Sequence, residues 1–314
     1  MFRLRASTKT GQILIASGRV PTIIAKSTEA TEKSIIVARN YVLSLNFRIL
    51  GKATGCGGCD LDNPTITIIL NGYKRPHTLR RQLRASKNQT IPPNEILLWR
   101  NDAKSPLTDL KFFLGPRRGI EGASSTQNLG VWARFAFALM SKSEFVCIID
   151  DDTIPSSRWL ENCLSSFRIQ PGLYGTIGVK FDSAAGYDGK QTRVGWDNPN
   201  DQIERVDIVG HSWFFPKEYL RFFWREFPNT IPVSAGEDIH FSYTLQKFAG
   251  IGTFVPPHPV NSPELWGSQP AVATKLGGDA NATANHAIPI MNAYLGKCVQ
   301  NGFVLMANET HDTD

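Results

Sequence analysis

The chain has 314 residues, 41% of them hydrophobic and 20% charged, enough apolar side chain for a substantial core and too much for a disordered or fibrous protein. Lys and Arg number 34 against 28 Asp and Glu, a net charge of +6 that favours acidic ligands but is spread along the chain, unlike the dense basic blocks of nucleic-acid binders. No apolar run reaches the ~20 residues of a bilayer-spanning helix and MFRLRASTKTGQ lacks the apolar core of a secretory signal, so the expectation is a cytoplasmic or peripheral membrane protein without a transmembrane segment.

Residues 1–62 read as an N-terminal extension. The apolar patches ILIA and TIIA precede an amphipathic helix through Ile35, Tyr41, Val42 and Leu45, and the glycine-rich GKATGCGGCDLDNP follows. Cys56 and Cys59 form a lone CxxC with neither a second pair nor nearby histidines, which reads as a flexible turn carrying free thiols.

Residues 63–300 are regular. Ile66 to Leu70 (ITIIL) is a continuous β-branched run, the pattern of a strand buried on both faces. A helix with Pro76 near its first turn and Leu79 and Leu83 on one face follows, then a second buried strand at Glu95 to Trp99. After a loop containing GPRRG, the segment NLGVWARFAFALM has helical spacing; FVCII is another strand and SSRWLENCLSSF another helix. Strand alternating with helix predicts an α/β fold, a mostly parallel sheet flanked by helices with ligands at the carboxyl ends of its strands. Farther on come strand-like GTIGVKF and ERVDIVG, the aromatic-rich HSWFFPKEYLRFFW, and a helix near SAGEDIHFSYTLQKF; residues 301–314 read as a polar tail.

Two carboxylate clusters carry the chemistry. Asp150, Asp151 and Asp152 directly follow the FVCII strand, where they raise one another's pKa unless a cation neutralises them. A hard divalent ion, Mn2+ or Mg2+, does this with one or two carboxylates plus substrate phosphates. The alternative is an acidic turn capping the helix after Pro155, which accounts for one aspartate more readily than for three. Glu237 and Asp238 stand at the start of the GED helix. Ser234 and Glu237 match a capping box, which would give Glu237 a structural part, so Asp238 is the favoured catalytic base and Glu237 the alternate.

With IIDDDTIPSSRWL and the downstream GED, the region from about Thr65 to Phe254 resembles the nucleotide-sugar-dependent glycosyltransferases of the GT-A fold, in particular the exostosin-like type. The resemblance implies a single Rossmann-like catalytic domain that moves a sugar from a nucleotide-sugar, a UDP-sugar first, to a glycan or other hydroxyl acceptor. By the same resemblance Arg75, Asn101 with its neighbour Asp102, Asn128, Arg134, Asp150 and Asp151 are the candidates to contact the nucleotide or its sugar, and Asp152 to hold the metal. At the first turn the sequence departs from the family pattern, with Lys74 where the family has asparagine. A late histidine completes the metal shell in several such enzymes; among His211, His240, His258 and His286, the VPPHP context makes His258 the first choice. Trp213 is a candidate sugar-stacking residue as well as a candidate core aromatic. The rival readings are a sugar-nucleotide nucleotidyltransferase, which wants a glycine-rich phosphate loop where NGYKRPHT has only Gly72, and a glycan-binding protein on a degenerate transferase scaffold.

Overall fold

The computed structural model describes residues 59–73, 75, 78–102, 120–195, 198–227, 234–268 and 280–308, with side chains of the last group from 287, and the backbone of two short paired strands, Ser7–Thr8 and Gly11–Gln12. The helix expected near Ile35 to Leu45, Cys56, Lys74, Pro76, the GPRRG loop and the end of the polar tail lie outside the described residues. Cys59 is disulfide-bonded, which corrects the expectation of a free thiol there.

The predicted alternation builds one sheet of nine strands. Strand β1 (Ile66–Gly72) lies between β2 (Glu95–Arg100) and β4 (Phe145–Ile149), with β3 (Ile120–Ser124) outside β2, and all these pairs are parallel. Helices α1 (Leu79–Lys87), α2 (Ala133–Ala138) and α3 (Trp159–Ile169) connect or cover them. The continuous apolar runs arise because β1 and β4 are covered on both faces; Ile66, Ile68, Ile69 and all five residues of β4 are fully buried.

The second half of the sheet is wound differently. It contains β5 (Leu173–Phe181), β6 (Gln191–Gly195), β7 (Glu204–Val206), β8 (Ile208–Pro216) and β9 (Thr253–Val255). The strand order is β3-β2-β1-β4-β8-β5-β9-β7, with β6 also on β5. Strands β4 and β5 run the same way and leave one position between them, which β8 fills antiparallel to both. Only β9 pairs parallel in this half, against β5. The short connections from β5 through β8 leave no room for the crossover helices that parallel neighbours need.

Among the described residues three further α-helices follow, α4 (Leu220–Phe223), α5 (Glu237–Ala249) and α6 (Ala280–Gln300). Phe135 of α2 stacks on Phe223 of α4 at 4.6 Å and meets Trp213 of β8 edge-on at 5.5 Å, so an aromatic core ties the two halves together. Helix α6 was not among the predicted elements: its first turns, NATANHAIP, are small, polar and interrupted by Pro289, a poor apolar period.

The helix after the aspartates opens at Trp159 rather than at Pro155. Its N-cap, Arg158, makes no side-chain cap, and the Leu160 N–H donates to Gln89 Oε1 at 3.0 Å instead. The aspartates are therefore not capping groups.

Candidate active site

Strand β4 hands directly to the aspartates, and a bulge in β8 fixes where they go. The Asp150 N–H donates to His211 O at 3.0 Å. His211 lies where the β8 register shifts between Gly210 and Trp213, with φ at 65°, a left-handed conformation that costs energy for a non-glycine residue and is characteristic of functional sites. The bulge brings His211 Nδ1 to 3.6 Å from Asp152 Oδ1.

Helix α1 secures the loop from the other side. Gln82 Nε2 donates to the carbonyls of Asp150 and Thr153, and Thr78 Oγ1 donates to that of Asp151 at 2.7 Å. With the loop's backbone satisfied in this way, the three carboxylates take separate partners. Asp150 pairs with Arg134, Asp151 with Arg75 at 2.8 Å, and Asp152 lies 3.7 Å from Arg75 and close to His211. Burial pushes Asp150 up to about 7 against the opposing charge of Arg134. Burial also raises Asp152, but the hydrogen bond and charge of His211, with Arg75, outweigh it and hold that carboxyl at about 2. Asp151 Oδ2 is buried without a hydrogen-bond partner among the described residues.

Arg134, expected on the nucleotide, is 3% exposed and occupied inside the protein. One arm, Nη1, meets Asp150 Oδ1; the other, Nη2, donates to Glu237 Oε1 at 2.6 Å. Its guanidinium lies over the Trp213 ring, 4.5 Å from the centroid. Arg134 thus ties the two acidic motifs together, while Trp213, 2% exposed, is a core aromatic and not a stacking platform.

The predicted capping box at α5 does not form. Gly236 is the N-cap with φ at 79°, no side chain caps the helix, and Ser234 is exposed. A left-handed residue there turns the chain so that Glu237 faces Arg134 instead of reaching back. Asp238 accepts the Ile239 N–H at 2.8 Å and lines an open cleft of about 200 Å³ together with Asp150, Glu237, His211, Tyr187 and Arg193. Burial raises both Glu237 and Asp238 above the ordinary carboxylate range, against the pull of Arg134.

The remaining polar candidates gather beyond this cleft, at the carboxyl ends of β1 and β2. Asn101 Nδ2 donates to Asn128 Oδ1 at 2.8 Å, Asn128 Nδ2 to the Tyr73 hydroxyl at 2.9 Å, and the Leu129 N–H to Asn101 Oδ1 at 2.9 Å. Asp102 follows in a left-handed conformation, φ 52°. Asn101, Asn128 and Tyr73 form one hydrogen-bonded chain, and none of them lines the cleft with Asp238.

His258 belongs to neither group. It is fully buried, its Nδ1 donates to Pro256 O at 2.8 Å and its Nε2 accepts the Gly267 N–H at 3.2 Å. Both ring nitrogens are committed to this loop, so no lone pair is left for a metal, which corrects the first choice of histidine. His240 is likewise a core residue, between Tyr294 and Phe223, and the His286 side chain lies outside the described residues. The histidine beside Asp152 is His211, whose sequence signal was only a glycine before it in a strand. Among the described residues no three His, Cys, Asp or Glu side chains converge as a ready metal cage. The orphaned Asp151 oxygen and the ionised Asp152 are nevertheless oxygen donors of the kind Mn2+ or Mg2+ takes, and His211 brings an imidazole nitrogen near Asp152.

No family model and no curated protein matches this chain. Among solved structures it is similar to S. aureus TarS 1–349 in complex with UDP, at 13% identity and a TM-score of 0.46 over 62% of this chain and 58% of that one. The chain therefore spans less than two thirds of the TarS chain it matches. It is also similar to the mannosyltransferase PcManGT from Pyrobaculum calidifontis in complex with GDP-Man and Mn2+, at 15% identity and a TM-score of 0.41 over 87% of this chain and 83% of that one.

Proposed function

We propose that this chain is a metal-dependent glycosyltransferase that moves a sugar from a nucleotide-sugar, a UDP-sugar first, to a hydroxyl of a glycan acceptor. The observation that carries this reading is that Arg134 joins Asp150 of the strand-end aspartates to Glu237 of the GED motif beside a cleft that Asp150, Glu237 and Asp238 line. Two clusters distant in the chain share a buried cation, and each keeps a carboxylate, Asp152 or Asp238, that Arg134 does not bind.

The roles divide by environment. Asp152, with Asp151 Oδ2 and His211 beside it, would hold the divalent ion, which when bound supplies positive charge against a departing diphosphate. Arg75, already against Asp151 and Asp152, would contact the diphosphate, and the Tyr73, Asn101 and Asn128 chain would take the base and ribose. Asp238 faces the cleft with its pKa raised by burial toward neutrality, as suits a group that takes the proton of an acceptor hydroxyl. Glu237 positions Arg134 and is not the base. The absence of a glycine-rich phosphate loop at NGYKRPHT weighs against nucleotidyl transfer.

The test screens UDP-, GDP- and dTDP-sugars with Mn2+ for release of the nucleoside diphosphate. One donor class should turn over, and Asp152→Asn and Asp238→Asn should each lower turnover by at least ~100-fold. Full turnover by both variants would sink these assignments, and pyrophosphate release from a nucleoside triphosphate would replace the reading with nucleotidyl transfer.

A further inference from the structure

The cleft has a second half that the roles above leave without a use. Besides the carboxylates, its lining includes Ile177 and Val179 of β5 and Tyr187 of the turn Gly186–Asp188. Tyr187 is partly exposed, its ring stands at right angles to that of Phe181 with centroids 5.1 Å apart, and its hydroxyl has no hydrogen-bond partner among the described residues. Burial, and then the Asp238 charge, push its phenol up, so the hydroxyl remains a donor across the neutral range.

The ring is held from behind by the C-terminal helix. The Tyr187 N–H donates to Asn292 Oδ1 of α6 at 2.8 Å. Gly186, just before it, has φ at 62°, and a Cβ there would lie 2.6 Å from the same Oδ1 and 3.0 Å from Leu295. Glycine is required at this point by both conformation and space, and the result is a turn pinned to α6 at its backbone, with the aromatic side chain left to the cleft.

The surroundings select the ligand. Asp150, Glu237 and Asp238 share the lining with Arg193 and His211, a mix of acceptors and donors that suits hydroxyls better than a single charge, and the apolar residues and the aromatic ring call for a C–H face. A neutral pyranoside offers both. Trp213, the other aromatic of the lining, is 2% exposed and covered by Arg134, so it does not serve.

We propose that Tyr187 is the platform on which a neutral pyranose ring of the acceptor lies, with a hydroxyl turned to Asp238, and that Asn292 is the positioning residue that holds this platform. This deepens the glycosyltransferase reading and rests on it for the word acceptor, but the binding itself is testable without turnover.

The full chain is titrated with methyl glycopyranosides of glucose, galactose, mannose and N-acetylglucosamine, and saturation-transfer NMR reads which ring protons meet the protein. At least one glycoside should bind through C–H protons of one face. Tyr187→Ala should weaken it about tenfold, whereas Tyr187→Phe, which keeps the ring, should stay within about threefold. Asn292→Ala should weaken binding severalfold, and Asn292→Asp, which keeps the oxygen that accepts the Tyr187 N–H, should restore it. Absence of glycoside binding, or a Tyr187→Ala variant that binds as the wild type does, overturns the proposal. UDP and GDP titrated with Mn2+ on the same samples read the donor side separately: their failure to bind counts against the transferase, while a glycoside dependent on Tyr187 still establishes the platform.

Discussion

Arg134 Nη2 donates to Glu237 Oε1 at 2.6 Å, joining residues 103 positions apart in the chain, and the other arm of the same guanidinium meets Asp150. The bridge is buried, with Arg134 4% and Glu237 10% exposed at the side chain. Removing one member of a buried ionic group leaves uncompensated charge, a larger penalty than the pair's net value.

Arg134→Met should therefore destabilise the protein by about 3–5 kcal/mol in urea unfolding. The double variant Arg134→Met with Glu237→Gln should recover part of that loss, because one of the stranded charges is gone. A single variant as stable as the wild type would mean that the bridge is absent in solution.

The raised Glu237 and Asp238 carboxyls set a pH dependence with a definite sign. Their folded pKa lies above the unfolded value, so between roughly pH 4 and neutrality the folded chain binds more protons than the unfolded one. Stability should fall as pH rises through that window. Asp238→Asn should remove about 1–2 kcal/mol of the fall, read as the difference in unfolding free energy between pH 5 and pH 8. If the variant and the wild type run parallel, Asp238 titrates as an ordinary carboxylate.

Asp152 behaves in the opposite sense. Its folded pKa is held at about 2, so its contribution is present above the ordinary carboxylate range and is lost as pH falls toward that value. In calorimetry of UDP with Mn2+ at neutral pH, Asp152→Asn should abolish the metal-dependent part of binding and His211→Ala should weaken it by about tenfold. His258→Asn should leave it unchanged while lowering the melting temperature, since that ring holds only its own loop. A metal dependence lost with His258 and kept with His211 would reverse the assignment.

Gln82 supports the aspartate loop through two carbonyls. Gln82→Leu, which strands the Thr153 carbonyl and leaves that of Asp150 with the Thr153 N–H alone, should cost about 1–3 kcal/mol. Amide exchange at Thr153, whose N–H closes the turn on Asp150 O at 3.1 Å, should speed up in the variant. Unchanged exchange there would mean that the turn stands without α1.

Much of the frame was legible because it is local. ITIIL, EILLW and FVCII announce β1, β2 and β4 because a strand covered on both faces has nowhere to place polar side chains, and the acidic triplet after FVCII marks the carboxyl end of β4. The GED segment likewise gave the start of α5. Periodicity could not show that β8 returns antiparallel between β4 and β5, that its bulge brings His211 to Asp152, or that Gly236 turns Glu237 away from Ser234 and toward Arg134. His258 and His211 look alike in sequence; one ring is consumed by its own loop and the other faces a carboxylate. Burial patterns and strand ends follow from neighbours along the chain, and the sequence determined them. Which charge meets which, and whether a side chain reaches the cleft or is held inside, depends on hydrogen bonds and packing between segments far apart in the chain, and only the tertiary structure decides it.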